Sequence, residues 1–193
     1  MSADHEHRVC TYREAEAAIK AHDVIYVNDC FCRGPAKEGK AKWAYCGHPV
    51  RTCMGFQEPK DAKYEVEEIN QARALGMMEE WKRNGLPFRF MENEEWLCFC
   101  CPCGCGWFRG EDGERQQDPC KKSRFIQHTN QEACDDCGVC VKVCAWGARE
   151  LKGSRLAVDQ AKCYGCSACE FACPTDAVSM APRPEGTQTM NDE

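Results

Sequence analysis

Cys134, Cys137, Cys140 and Cys144 are spaced C-x2-C-x2-C-x3-C, and Cys163, Cys166, Cys169 and Cys173 repeat that spacing 29 residues further on. Ala148 and Ala177 keep the same offset, so a whole small unit is repeated. A repeat of this size predicts two copies packed about a pseudo-twofold axis. Eight thiols in two tight groups also argue against zinc, whose structural sites join two-cysteine knuckles across longer spacers.

Composition says why the cysteines must organise the rest. Leu, Ile, Val and Phe together number 27 of 193 residues, about 14%, while cysteine alone numbers 19. An apolar fraction below ~20% in a charged chain cannot fold on a hydrocarbon core alone. Metal or covalent cross-links must supply part of the stability. The first ten residues, MSADHEHRVC, are polar, and no apolar run approaches the ~18–20 residues that span a bilayer. A cytoplasmic, reducing location is therefore expected, where clustered and odd-numbered cysteines bind metal more often than they form disulfides. A net charge of −6 with no basic stripe excludes nucleic acid and membrane insertion as main roles and points to a redox partner with a basic docking surface.

Thr11 and Glu14 form a capping-box pattern ahead of an alanine-rich run, predicting a helix over 11–22. Val24–Val27 predicts a strand that delivers the chain into Cys30 and Cys32, followed by a Gly/Lys-rich loop over 33–43. Val66, Ile69, Ala72, Leu75, Met78 and Trp81 recur at spacings of three, predicting helix over 65–83, broken at Gly76 and stopped by Asn84-Gly85. Residues 86–97 have strand character and lead into Cys98-Phe99-Cys100-Cys101-Pro102-Cys103-Gly104-Cys105. The expected organisation is a cysteine-rich domain over 1–110, a charged linker over 111–123, a second domain over 124–181 and a flexible tail over 182–193. In the second domain 124–127 should be a strand, Gly153-Ser154 a hairpin turn, and 178–180 the strand that closes the sheet.

Residues 124–181 resemble bacterial-type dicluster ferredoxins, which implies an α+β, ferredoxin-like domain with two [4Fe–4S] clusters. In that family three cysteines of one repeat hold a cluster and the fourth crosses to the other. Carried over, Cys134, Cys137, Cys140 and Cys173 would hold one cluster, and Cys163, Cys166, Cys169 and Cys144 the other. Cys173-Pro174 keeps the family's Cys-Pro step, whereas Cys144 is followed by Ala145, a change that touches local stiffness and hydrogen bonding more than ligation.

The amino-terminal pattern of Cys30-x-Cys32-Arg33, Cys46-x-His48-Pro49 and Cys53 resembles a segment ahead of the ferredoxin domain in some multicluster ferredoxin-like proteins. A third [4Fe–4S] cluster on Cys30, Cys32, Cys46 and Cys53 is the leading reading, with zinc on four of these or on three and His48 as the alternative, and ligand sets mixed between segments as a third. His48 is expected to pack or hydrogen-bond nearby. Cys98, Cys100, Cys101, Cys103 and Cys105 are candidates for a fourth cluster, joined if needed by Cys120. In an extended chain Cys101, Cys103 and Cys105 would share one face and Cys98 and Cys100 the other. Gly104, Gly106 and Gly110 would let backbone approach the metal. Cys10 stands alone as a free thiol. Trp43, Trp81, Trp96, Trp107 and Trp146 read as packing residues, and His5, His7, His22 and His128 as scattered surface positions.

No G-x-G-x-x-G or P-loop is present, so no flavin, nicotinamide or ATP site is expected. Two clusters at the carboxyl end and three to four in total predict an electron-transfer protein: a multicluster ferredoxin or the electron-wiring subunit of a larger oxidoreductase. Cubanes with four thiolates pass single electrons and offer substrates no open position. The alternative is a redox enzyme with an unusual cluster in the Cys98–Cys105 segment, reducing a substrate such as a disulfide.

Overall fold

The structure is a computed structural model that describes residues 7–30, 32–33, 47–59, 65–91, 94–105, 108 and 120–184. Cys46, His5, Trp43, Trp107, Gly106, Gly110 and the expected loop, linker and tail over 34–43, 111–119 and 185–193 lie outside the described residues. The architecture is α+β.

In the amino-terminal half β1 (Arg8–Cys10), β2 (Val24–Asp29), β3 (Arg51–Gly55), β4 (Val66–Asn70), β5 (Phe88–Met91) and β6 (Trp96–Phe99) form one sheet in the order β1-β5-β6-β3-β2-β4. Its neighbours all pair antiparallel. Helix α1 (Tyr12–Lys20) starts where expected: the Thr11 hydroxyl accepts from the Glu14 N–H at 3.1 Å, and Glu14 returns to the Thr11 N–H at 2.8 Å. Helix α2 (Gln71–Arg83) begins later than the apolar spacing predicts. Val66 and Ile69 belong to β4, which pairs with β2, and the Asn70 side chain caps the helix through the Arg73 N–H at 2.9 Å. A spacing of three suits a helix face, but both residues are β-branched and favour a strand, and pairing with β2 decides it. The helix runs through Gly76, whose missing side chain faces open space.

Strand alternation divides the sheet into two chemically distinct faces. Ile25, Val27, Met54, Phe88, Phe90, Leu97 and Phe99 join Tyr12, Ile19, Met78 and Trp81 of the helices in the main core. Between them Cys53, Cys98 and Cys100 point to the other face with Cys30 and Cys105. A period of two makes this automatic once the apolar set is buried.

In the carboxyl-terminal half β7 (Phe125–Thr129) pairs with β10 (Val178–Pro182), and β8 (Arg149–Lys152) forms a hairpin with β9 (Arg155–Val158). Helices α3 (Val139–Lys142) and α4 (Ala168–Phe171) follow equivalent cysteine loops. The backbone repeats along with the sequence: Asp136 and Gly165, Gly138 and Ser167, and Gly147 and Asp176 all have positive φ. Each pair is 29 residues apart, and three of the six are not glycine.

The two halves pack together. The Tyr12 N–H donates to Ser167 Oγ at 2.7 Å, and Trp146 stacks on Tyr164 at 4.7 Å while meeting Phe108 at 5.2 Å. Residues 120–123, expected as the end of a linker, are anchored here. The Val9 N–H donates to Lys121 O at 3.0 Å, the Lys121 N–H to His7 O at 2.9 Å, and Ser123 is fully buried. The tail also starts ordered, because β10 runs to Pro182 and Arg183 donates to the carbonyls of Ser123, Phe125 and Cys163.

Candidate metal centres

Cys144, Cys163, Cys166 and Cys169 line one cavity together with Trp146, Tyr164 and Arg149. Burial pushes the Cys166 thiol well up, and the charges of Cys169, Cys144 and Cys163 push it further. Cys169 is raised to about 11 by burial against the opposing charge of Arg149, with Cys163, Cys144 and Cys140 adding to the rise. Cys144 thus stands among the cysteines of the second loop. Its own sulfur accepts the Ala148 N–H at 3.2 Å.

The first loop is more open. Cys137 is exposed, Cys134 and Cys173 are half-buried and Cys140 is buried. Burial raises the Cys173 thiol, but the Thr175 hydroxyl and the N–H groups of Thr175, Ala177 and Val178 outweigh it and hold the thiol below its ordinary value. Arg149, which no spacing in the sequence marks, lies between the loops. Its guanidinium is buried, donates to Cys140 Sγ at 3.4 Å and to Thr129 Oγ1 at 3.1 Å, and also bonds Gln127. Burial disfavours that charge, yet Cys169, Cys140 and Cys144 raise its pKa above the ordinary value.

In the amino-terminal half the thiols group across the two segments. Cys30 meets Cys32, Cys53 and Cys98; Cys32 meets Cys105; and Cys100 meets Cys105 and Cys98. These contacts pull the Cys30 thiol down, with Cys32 the largest contributor, and push up Cys32, Cys53 and Cys100. Cys98 and Cys53 are register partners on β6 and β3. Cys105 departs from the extended-chain expectation, because the Cys105 N–H donates to Cys101 O at 3.1 Å and that turn carries it back to Cys100.

Cys101 and Cys103 take the other side, and with His48 they form a separate group whose ligand atoms lie within 4.8 Å of one another. Cys103 Sγ and His48 Nδ1 are 3.3 Å apart. Burial, then the nearby Arg33 charge, lowers the His48 pKa. Two buried arginines balance this half. Arg33 spans both thiol groups, and Arg89 faces Cys100, Cys98, Cys105 and Cys120; in each, thiolate charge overcomes burial and raises the pKa. The sequence marked Arg33 only as part of the Cys30-x-Cys32-Arg33 pattern and did not mark Arg89, although Arg89 alternates on β5 between Phe88 and Phe90. Cys120 is raised to about 12, chiefly by burial. Cys10 is fully buried in the main core, where burial drives its thiol well up.

Residues 133–177 match the family model described as the 4Fe-4S dicluster domain. This stretch is a 4Fe–4S dicluster domain. A 58-residue stretch of the chain is 34% identical to the archaeal-type glutamate synthase [NADPH] of Thermotoga maritima, covering 29% of this chain and 11% of that protein. A match to the same enzyme of Thermotoga sp. strain RQ2 has the same extent. Indolepyruvate oxidoreductase subunit IorA of Archaeoglobus fulgidus is 29% identical over 80 residues, 42% of this chain and 12% of that protein. The chain thus spans 11–12% of the length of the curated relatives it matches.

The dicluster domain's residues fit 4Fe–4S clusters. The donors are thiols, the Ala148 N–H and Arg149 already point at sulfur, and the indole N–H of Trp146, at the cavity wall, is buried without a hydrogen-bond partner among the described residues. Such donors stabilise the negative charge on cluster sulfur. Among the described residues no helix is long and apolar enough to cross a membrane.

Proposed function

We propose that the chain is a multicluster electron carrier, or the electron-wiring subunit of a larger oxidoreductase, built as two units over about 1–110 and 124–181. In the dicluster domain Cys134, Cys137, Cys140 and Cys173 hold one cluster, and Cys163, Cys166, Cys169 and Cys144 the other, about a pseudo-twofold axis. The shared cavity of Cys144 with the second loop supports the crossing. A third cluster draws its thiolates from Cys30, Cys32, Cys53, Cys98, Cys100 and Cys105.

One observation carries the extended path. Trp146 lines the cavity of Cys144, Cys163, Cys166 and Cys169 and also a cavity lined by Cys100, Cys120 and Arg89. Trp146 therefore borders cavities that contain thiols of both halves. In the first loop Cys137 is exposed and its N–H donates to the exposed Asp135, which gives the first cluster an acidic, accessible edge. Each oxidised cubane with four thiolates adds about −2, so three clusters add about −6 to the chain's own −6. Docking of this edge on a basic redox partner follows, weakening with salt. The names of the relatives, a glutamate synthase and an indolepyruvate oxidoreductase subunit, support a place beside such an enzyme.

The chemistry the clusters supply is reversible one-electron transfer. The protein's part is to hold thiolates, to donate N–H groups to sulfur and to bury Arg33, Arg89 and Arg149 where negative charge accumulates. A disulfide-reducing enzyme is favoured by one observation: six thiols converge where a cubane uses four.

Iron and acid-labile sulfide counted on anaerobically purified full-length protein test the reading. About twelve irons per chain are expected for three clusters. About eight irons, with zinc occupying the six-thiol site, would reduce the protein to a two-cluster carrier with a zinc-stapled partner domain. Reduction of an added aromatic disulfide at the expense of dithionite, lost in Cys32→Ser, would favour the enzyme.

A further inference from the structure

The structure assigns His48, Cys101 and Cys103 to a separate mononuclear zinc site, distinct from the thiols that face the iron–sulfur chemistry. The three donor atoms lie within 4.8 Å of one another. Zinc takes thiolate at about 2.3 Å and imidazole at about 2.0–2.1 Å in a tetrahedron, which sets sulfur and nitrogen roughly 3.5 Å apart. The 3.3 Å between Cys103 Sγ and His48 Nδ1 is close to that edge. A cubane would hold its donors further apart, because iron and sulfide lie between them. Two soft thiolates with one imidazole are also a zinc-type donor set.

The surroundings hold this geometry in place. Arg33 donates to Phe99 O at 2.8 Å and to Pro49 O at 3.1 Å, bonds Thr52, and brings Nη1 to 3.8 Å from Cys101 Sγ. Trp81 of α2 packs against His48 at 5.7 Å and under the Arg33 guanidinium at 4.8 Å, so one buried ring supports both. Cys101 is buried, whereas His48 and Cys103 are half-buried, so the group opens at one side. Among the described residues three protein ligands converge, which leaves the fourth position of a zinc tetrahedron for a further donor or water.

Packing separates this group from the six thiols. Cys100 and Cys101 are adjacent yet belong to opposite sides, so the twin cysteines serve two centres.

Zinc and iron are counted by mass spectrometry on full-length protein purified anaerobically from cells supplied with both metals, for wild type, His48→Ala and Cys103→Ser. The expected result is about one zinc in wild type, lost in both variants, with iron unchanged. Zinc-edge X-ray absorption of the wild type should give two sulfurs at about 2.3 Å with nitrogen at about 2.0–2.1 Å. A wild type that holds no zinc and takes none from added zinc chloride overturns the assignment. So does zinc retained in both variants, iron lost together with zinc, or a shell of four sulfurs, which wild-type protein reveals even if a variant fails to fold. Failure of the electron-carrier reading is read separately, in the iron and sulfide content.

Discussion

Arg149 is a buried cation whose neighbours are cysteines of both loops, and it has no carboxylate among the partners that raise its pKa. A guanidinium in that position is stabilised by thiolate and cluster charge, and in turn it stabilises the reduced, more negative state. Arg149→Met should therefore lower the reduction potentials of both dicluster-domain clusters. About 1 kcal/mol of differential interaction corresponds to about 43 mV for one electron, from 59 mV per tenfold. A potentiometric titration followed by electron paramagnetic resonance reads both shifts, and unchanged potentials would detach Arg149 from the clusters. The cysteines themselves give a sharper test. Cys173→Ser should damage the cluster held with Cys134, Cys137 and Cys140, and Cys144→Ser the other, each costing one signal. Damage confined to each cysteine's own sequence neighbours would refute the crossed assignment. Neither Arg89 nor Arg149 was legible in advance, because a lone arginine in a charged sequence carries no spacing, whereas cysteine ligands do; Arg33 was marked only by its place after Cys32.

At the scale of elements, the capping box, the strand β2 and the hairpin at Gly153 were legible because each is written in local chemistry. The start of α2 was not, since only pairing with β2 makes Val66–Asn70 a strand. The thiol grouping was half legible. Alternation separates Cys98 and Cys100 from Leu97 and Phe99, but the turn that returns Cys105 to Cys100 lies in a cysteine-glycine run with no periodicity to read. The cysteine loops of the dicluster domain depend on backbone bends that sequence identity only hints at. Gly165 has φ +74°, and a Cβ there would lie 2.0 Å from the Phe125 carbonyl oxygen and 2.9 Å from Ser123 Cβ. Gly147 has φ +64° but faces open space. Gly147→Ala should cost only the left-handed backbone penalty, about 1–2 kcal/mol. Gly165→Ala should cost about 2–5 kcal/mol, adding the forced separation of the second loop from β7. Iron content after purification and thermal melting distinguish them: Gly165→Ala should lose iron, and equal behaviour would mean the loop can move away from β7.

Across the whole molecule, the contact between the halves is aromatic, with Trp146 between Phe108 and Tyr164, and Tyr12 against Phe171 at 5.7 Å. Tyr12 N–H donates across it to Ser167 Oγ, and Glu94, paired with Arg8 in its own half, salt-bridges Arg124 of the other. The dicluster domain should still fold as residues 120–184, because its strands, loops and the Arg183 clasp are complete within that range. What the fragment lacks is Phe108. Trp146→Leu removes the Tyr164 stack in both fragment and full chain, but the Phe108 contact only in the full chain. An aromatic pair is worth about 0.5–1.5 kcal/mol beyond the area it buries. Loss of a cluster makes unfolding irreversible, so stability is read as a rate: the half-time for visible bleaching in guanidinium under anaerobic conditions. About 1 kcal/mol is roughly a fivefold change in rate. Trp146→Leu should shorten the half-time of the full chain roughly fivefold more than that of the fragment. Equal shortening in the two would mean that Trp146 serves the dicluster domain alone and that the shared wall contributes nothing to joining the halves.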